Sequence, residues 1–181
     1  VYGSSMLRSI TPEAEGERLR RLQQEQGFRA FKVRVGKECG HDQDEWPGRT
    51  EALVPHIRSV LGDEALIHAD GNSGYTPARA IEVGRMPVAG GEQDHSLPTW
   101  HSMIEEQVVD IVQPDICYCG GITRALEIAR HSAQRDLLCV PHCANHSLIL
   151  IFTMHLWNAL PNAGPFMEYS IEDQHLYAGL Y

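Results

Sequence analysis

Several kinds of signal are missing from these 181 residues. No stretch approaches the ~18 consecutive apolar residues of a membrane-spanning helix, and no charged-then-apolar leader opens the chain, so neither insertion nor export is expected. The cysteines, Cys39, Cys117, Cys119, Cys139 and Cys143, form no Cys-x-x-Cys pair and are odd in number. They read as reduced thiols of a cytoplasmic protein and not as a zinc site or a disulfide frame. Positive charge is scarce: Lys and Arg number 15 against 24 Asp and Glu, for a net charge of −9. That balance argues against nucleic acid and against an anionic membrane surface as partners. An anionic ligand would need local compensation by a metal ion or by a few placed Lys and Arg residues. The remaining composition, 43% hydrophobic and 22% charged, is that of an ordinary globular domain or a piece of one. Val1–Ser5 already has strand character and residues 174–181 carry no periodic pattern, so both ends read as cut.

Between those ends, strand-like and helix-like segments alternate. Thr11-Pro12-Glu13-Ala14-Glu15 is a helix start, with Thr as N-cap, Pro in the first turn and acids near the positive end of the dipole. That helix should run to Gln26 and stop at Gly27. Ala30–Val35 alternates apolar and basic residues, which places Lys32 and Arg34 on one face of a strand. A polar loop leads to a helix over Arg49–Leu61, with Leu53, Val54, Ile57 and Val60 as its apolar stripe. Leu66-Ile67-His68-Ala69-Asp70 is expected to be a buried strand, and Gly71-Asn72 follows as a sharp turn. Later strands are expected at Pro87–Gln93, Val109–Asp115, Leu137–His142 and Pro165–Tyr169. Helices fall between them, from Thr76 to Met86, over Leu97–Glu106 and over Arg124–Ala133, and Ser147–Leu160 is expected to be a buried helix. Repeated βα units imply parallel strands with right-handed crossovers. The fold class is therefore α/β, an incomplete (β/α)8 TIM-type barrel with about seven parallel strands over residues 1–173, where eight would close it.

Parallel α/β folds bind ligands at the carboxyl ends of their strands. Here those ends carry Lys32 and Arg34, Asp70 and Asn72, Glu92, Asp115, His142 and Glu168. Singly, each has a bland reading: an Asp-Gly-Asn turn, a helix cap at Glu92, a satisfied core histidine at His142. Together they describe a site. Asp70 and Glu92 suit a hard cation such as Mg²⁺. Lys32 is placed to act as a base or to hold a carboxylate. An Asp115–His142 pair orients the imidazole for acid/base work near neutral pH.

Phe31-Lys32-Val33-Arg34-Val35-Gly36, His68-Ala69-Asp70-Gly71-Asn72, Val88-Ala89-Gly90-Gly91-Glu92, Gln113-Pro114-Asp115 with Gly120-Gly121, and Pro141-His142 occur in this order. The set resembles the mandelate racemase/muconate lactonizing branch of the enolase superfamily, in particular its acid-sugar dehydratases. The resemblance implies abstraction of the proton α to a carboxylate, with Mg²⁺ stabilising an enediolate. By position it implies Asp70 and Glu92 as metal ligands and Lys32 against the substrate carboxylate. It places Arg34 as the second basic residue of the pair, His142 with Asp115 as the base dyad, Glu168 as an acid that hydrogen-bonds substrate, and Asn72 as a substrate contact. The implied partner is a small sugar acid or another α-hydroxy carboxylate, and the implied chemistry is dehydration, with racemisation as its neighbour.

The departures are equally specific. The family has three carboxylate ligands on successive strands, and here the helix ending at Arg85-Met86 runs directly into Pro87–Gly91. One βα unit, about 30 residues by the proportions of such barrels, has no counterpart. Nor is there a counterpart of the N-terminal capping domain that closes the family's site. A barrel lacking its fourth strand exposes strand edges, which invites pairing between copies. Fewer charged ligands should weaken Mg²⁺ binding and leave activity weak or lost. The competing expectation is a non-catalytic fragment or a carboxylate-binding remnant.

Overall fold

The computed structural model describes residues 1–72, 74–83, 87–144 and 146–172. The helix end at Arg85-Met86 and the tail 174–181 lie outside the described residues. Among the described residues seven strands and six helices follow in order: β1 (Tyr2–Ser4), α1 (Pro12–Gln26), β2 (Ala30–Arg34), α2 (Arg49–Leu61), β3 (Leu66–Asp70), α3 (Pro77–Val83), β4 (Ala89–Gly90), α4 (Leu97–Glu105), β5 (Ile111–Val112), α5 (Ile122–Ala133), β6 (Leu138–Cys139), α6 (Leu148–Ala159) and β7 (Glu168–Ser170). The chain forms two compact units, one from β1 to α3 with Ser170–Glu172, the other from β4 to Tyr169.

In the first unit β1 pairs with β2 and β2 with β3, all parallel. The returning segment joins beside β1, where the Ile171 N–H donates to the Ser4 carbonyl (3.1 Å). Helix α1 begins as its sequence requires, with the Thr11 hydroxyl accepting from the Ala14 N–H at 3.3 Å. It ends at Gly27, whose φ of 73° is the left-handed turn that glycine adopts without steric penalty. Leu19, Phe31, Val33, Leu53, Ile57 and Leu61 form the core between α1, α2 and the sheet. The expected stripe of α2 is there, with Leu53 and Ile57 fully buried and Val54 and Val60 at its margin.

One expectation needs correction here. β3 is not a buried strand: Leu66 is 51% exposed and its other residues are half-buried. β3 stands at the edge of its sheet, in the order β3-β2-β1-β7. An apolar run covered on both sides in a closed barrel is left partly uncovered here, where among the described residues no strand pairs with its outer edge.

In the second unit β4, β5 and β6 are parallel, with Ala89, Ile111 and Leu138 in register. Trp100 and Ile104 of α4 and Ala125, Ile128 and Ala129 of α5 pack on them. Helix α6 is also less buried than its composition predicts. Leu150, Thr153 and Leu156 face inward, while Leu148 and Phe152 are half exposed.

Of the five cysteines, Cys39 and Cys117 are exposed, and Cys119, Cys139 and Cys143 are buried. Burial, with the nearby Cys119, pushes the Cys139 thiol up to about 12. Because the thiolate is the reactive form, a chromogenic disulfide reagent at neutral pH should titrate Cys39 first, Cys117 more slowly because burial and the Asp115 carboxylate push its thiol up, and three more only after denaturation. Fast modification of three or more would contradict this core.

Candidate active site

The first unit carries one group of the expected site residues. Parallel register sets Arg34 opposite Asp70 and Lys32 opposite His68, so both cations lie on the face that Asp70 shares. The Asp70 Oδ2 is 2.7 Å from Arg34 Nη1 and 3.2 Å from Lys32 Nζ. Its Oδ1 accepts the Asn72 N–H at 2.9 Å. Burial works to raise the Asp70 pKa, but the two cations outweigh it and hold the carboxyl below its ordinary value of 3.8. Lys32 and Arg34 are themselves buried, which no lone cation tolerates cheaply.

Arg49, read in the sequence only as the first residue of a helix, supports this group. Its side chain is buried, its Nη1 donates to the Arg34 carbonyl at 2.9 Å and its Nε to the Ile10 carbonyl at 3.2 Å. Its guanidinium lies 5.3 Å from the Trp46 ring centroid. Burial lowers its pKa against the pull of Asp44 and Glu15. A buried arginine at a helix start has no sequence signature, because the same letter there is usually solvated.

The second unit carries the other group. The three parallel strands end together, and the loops beyond them bring Glu92, Asp115 and His142 to one edge, with Glu168 from β7. His142 Nδ1 lies 2.9 Å from Asp115 Oδ2, and Nε2 lies 3.2 Å from Glu168 Oε2 and 3.9 Å from Glu92 Oε2. Asp115 is oriented by the Cys117 N–H on its Oδ1 (2.7 Å), and the His142 backbone N–H donates to the Pro114 carbonyl (3.1 Å). With Asp115 accepting from Nδ1–H, the neutral ring keeps Nε2 as its basic nitrogen. Glu168 is fully buried beside it.

The expected residues are thus brought together within each unit: Lys32, Arg34, Asp70 and Asn72 in the first, Glu92, Asp115, His142 and Glu168 in the second. Asp70 and Glu92, expected as co-ligands of Mg²⁺, belong to different units. Asp70 offers the hard oxygens that Mg²⁺ takes, but both are already in contact with cations or an N–H. Among the described residues no group of three or more His, Cys, Asp or Glu side chains is placed to hold a metal ion. The described residues of each unit do not fit a three-carboxylate magnesium site.

The family model for enolase C-terminal domain-like proteins matches residues 14–86 and 82–179, and the chain belongs to that family. The two matched stretches meet where the sequence lacks a βα unit. A solved structure from Roseobacter denitrificans, provisionally described as a racemase, superposes with a TM-score of 0.93 at 48% identity, over 98% of this chain and 57% of that one. Arabinonate dehydratase of Saccharolobus solfataricus is 25% identical over 180 residues, covering 83% of this chain and 46% of its own. A mandelate racemase/muconate lactonizing protein from Paracoccus denitrificans, solved with magnesium, shares the fold with a TM-score of 0.84 at 22% identity, over 94% of this chain and 54% of that one. The chain therefore spans about half the length of the relatives it matches, and its fold is that of a partial TIM-type barrel of this family.

Proposed function

We propose that the chain carries the proton-transfer machinery of an acid-sugar dehydratase or racemase in attenuated form. The observation that carries this reading is the His142 ring held between Asp115 on Nδ1 and Glu168 on Nε2. Such an imidazole can take the proton α to a substrate carboxylate at Nε2. In dehydration the same proton then goes to the β-hydroxyl, which leaves as water. Racemisation would instead return a proton to the α carbon. Lys32 would recognise the substrate carboxylate, with Arg34 beside it and Asn72 as a further polar contact; Glu168 would hydrogen-bond substrate. Mg²⁺, the cofactor the resemblance implies, would be held weakly, because one of the three expected carboxylate ligands has no counterpart. The second reading, a carboxylate-binding remnant without turnover, is favoured by the two cations that crowd Asp70. We place the chain in a reducing, cytoplasmic setting and allow pairing between copies through the open edge of β3.

Solvent deuterium incorporation at the α carbon of aldonic acids, followed by NMR with and without Mg²⁺, tests this. The expected result is slow exchange, with kcat/KM below the ~10⁴ M⁻¹ s⁻¹ floor of ordinary enzymes, and abolished by His142→Asn. Exchange at ordinary enzymatic rates would refute attenuation. Exchange that survives His142→Asn would refute the assigned base, and none in the wild type would leave the remnant reading.

A further inference from the structure

Asp70 closes β3 with the hard oxygens a divalent cation takes, yet two cations of the chain already stand against it. Arg34 Nη1 and Lys32 Nζ approach the same oxygen, Oδ2, at 2.7 and 3.2 Å. Oδ2 and Arg34 Nη1 are both buried, and they meet as charges and not as an aligned hydrogen bond. An ion from solvent therefore reaches Oδ2 only by displacing one of the two side chains. The other oxygen, Oδ1, accepts the Asn72 N–H at 2.9 Å. What is left for a metal is the remaining lone pair of one carboxylate oxygen, beside two positive charges.

Neither cation moves aside easily. Both project from β2, whose register sets Arg34 opposite Asp70, and their side chains are only 7% and 3% exposed for Arg34 and Lys32. Arg34 is fixed further by its carbonyl, which accepts from the buried Arg49 Nη1 at 2.9 Å, and by its Nη2, which donates to Met6 Sδ at 3.3 Å. Pulling either cation off Asp70 would leave buried charges separated. Mg²⁺ also dehydrates reluctantly, and a single carboxylate offers little to offset that. We infer that Lys32 and Arg34 occupy the place of a divalent cation at Asp70, as an internal counter-ion, and that Asp70 takes up a divalent ion only when one of the two is removed. The inference is independent of proton transfer at His142, and it goes beyond a missing ligand by placing a competitor for the metal inside the chain. A shortage of ligands alone keeps metal affinity low after a cation is deleted; an internal competitor makes it rise.

Titration of the full chain with Mn²⁺, which takes the same oxygen ligands and whose free form is counted by paramagnetic resonance, decides this. The variants are Arg34→Gln, Lys32→Gln and Arg34→Gln with Asp70→Asn, and Arg20→Gln, at an exposed arginine of α1, is the charge-matched control. Wild type and Arg20→Gln should bind Mn²⁺ weakly and alike. Arg34→Gln, which removes the closer cation, should bind it about tenfold more tightly or more, and Asp70→Asn should cancel that gain. Lys32→Gln should show a smaller gain of the same kind. Amide spectra place the ion: at one Mn²⁺ concentration the Asn72 N–H should broaden in Arg34→Gln and stay sharp in wild type. The inference is overturned if neither single variant gains affinity, or if Arg20→Gln gains as much. It is equally overturned if wild type already binds Mn²⁺ as tightly as Arg34→Gln and broadens Asn72. Should the double variant not fold, the Asn72 amide carries the assignment to Asp70 without a second substitution, and Lys32→Gln replaces Arg34→Gln if the latter does not fold.

Discussion

Asp70→Ala is expected to lower the unfolding free energy by about 3–5 kcal/mol, because it leaves Lys32 and Arg34 as buried charges without their shared carboxylate. The total stability of a domain is about 5–15 kcal/mol, so this single change consumes much of it. Asp70→Asn should lose nearly as much, since it keeps the volume and removes the charge. The effect has a pH signature. The native carboxyl titrates below 3.8, so the unfolded chain takes up the proton first as pH falls. Asp70's contribution is therefore fully present above about pH 4 and is lost progressively as pH drops through the lower native value. Urea unfolding of wild type should weaken steeply over that acid range, and the Asp70→Ala curve should be flatter there. A loss under about 1 kcal/mol at neutral pH, with m unchanged, would mean that the three side chains do not form a buried ion cluster.

Gly91→Ala should damage the second unit comparably. Gly91 sits at φ 100°, a backbone state that an L side chain adopts only under strain. A methyl group there would overlap the ring of Trp100, which is fully buried and fixed by its Nε1 donating to the Asp94 carbonyl at 3.0 Å. Backbone strain and overpacking each cost about 1–3 kcal/mol, so a combined loss of about 3 kcal/mol or more is expected. Gly62→Ala is the matched control. Its φ is 83° with ψ 172°, and its missing Cβ would meet nothing within 4 Å, so only the backbone strain of about 1–3 kcal/mol applies, without the overlap. Equal melting temperatures for the two variants would show that Trp100 does not close on Gly91. Because Glu92 follows directly, Gly91→Ala should also disturb the His142 surroundings, and Gly62→Ala should not.

Much of this was legible in local sequence. Helix starts at Thr11-Pro12 and at Arg49, the stop at Gly27, and the alternation that puts Lys32 and Arg34 on one face depend on interactions spanning a few residues. The Asp115–His142 pairing was readable for a related reason: parallel strands in register must present their ends together, and both residues fall just beyond such ends. What lay beyond reach depends on neighbours distant in the chain. The exposure of Leu66 goes with the edge position of β3, on whose outer side no strand pairs among the described residues, and the apolar letters of β3 cannot report that. The half-exposed face of α6 likewise depends on which helices flank it. Arg49 looks like a solvated surface residue in the sequence, and only packing makes it a buried support for Arg34. Local sequence determined which elements form and which chemical groups end each strand, since propensity, capping and side-chain alternation act over one turn or one pleat. Tertiary structure decided how those groups share charge, because Coulomb energy and desolvation depend on what surrounds a side chain in space.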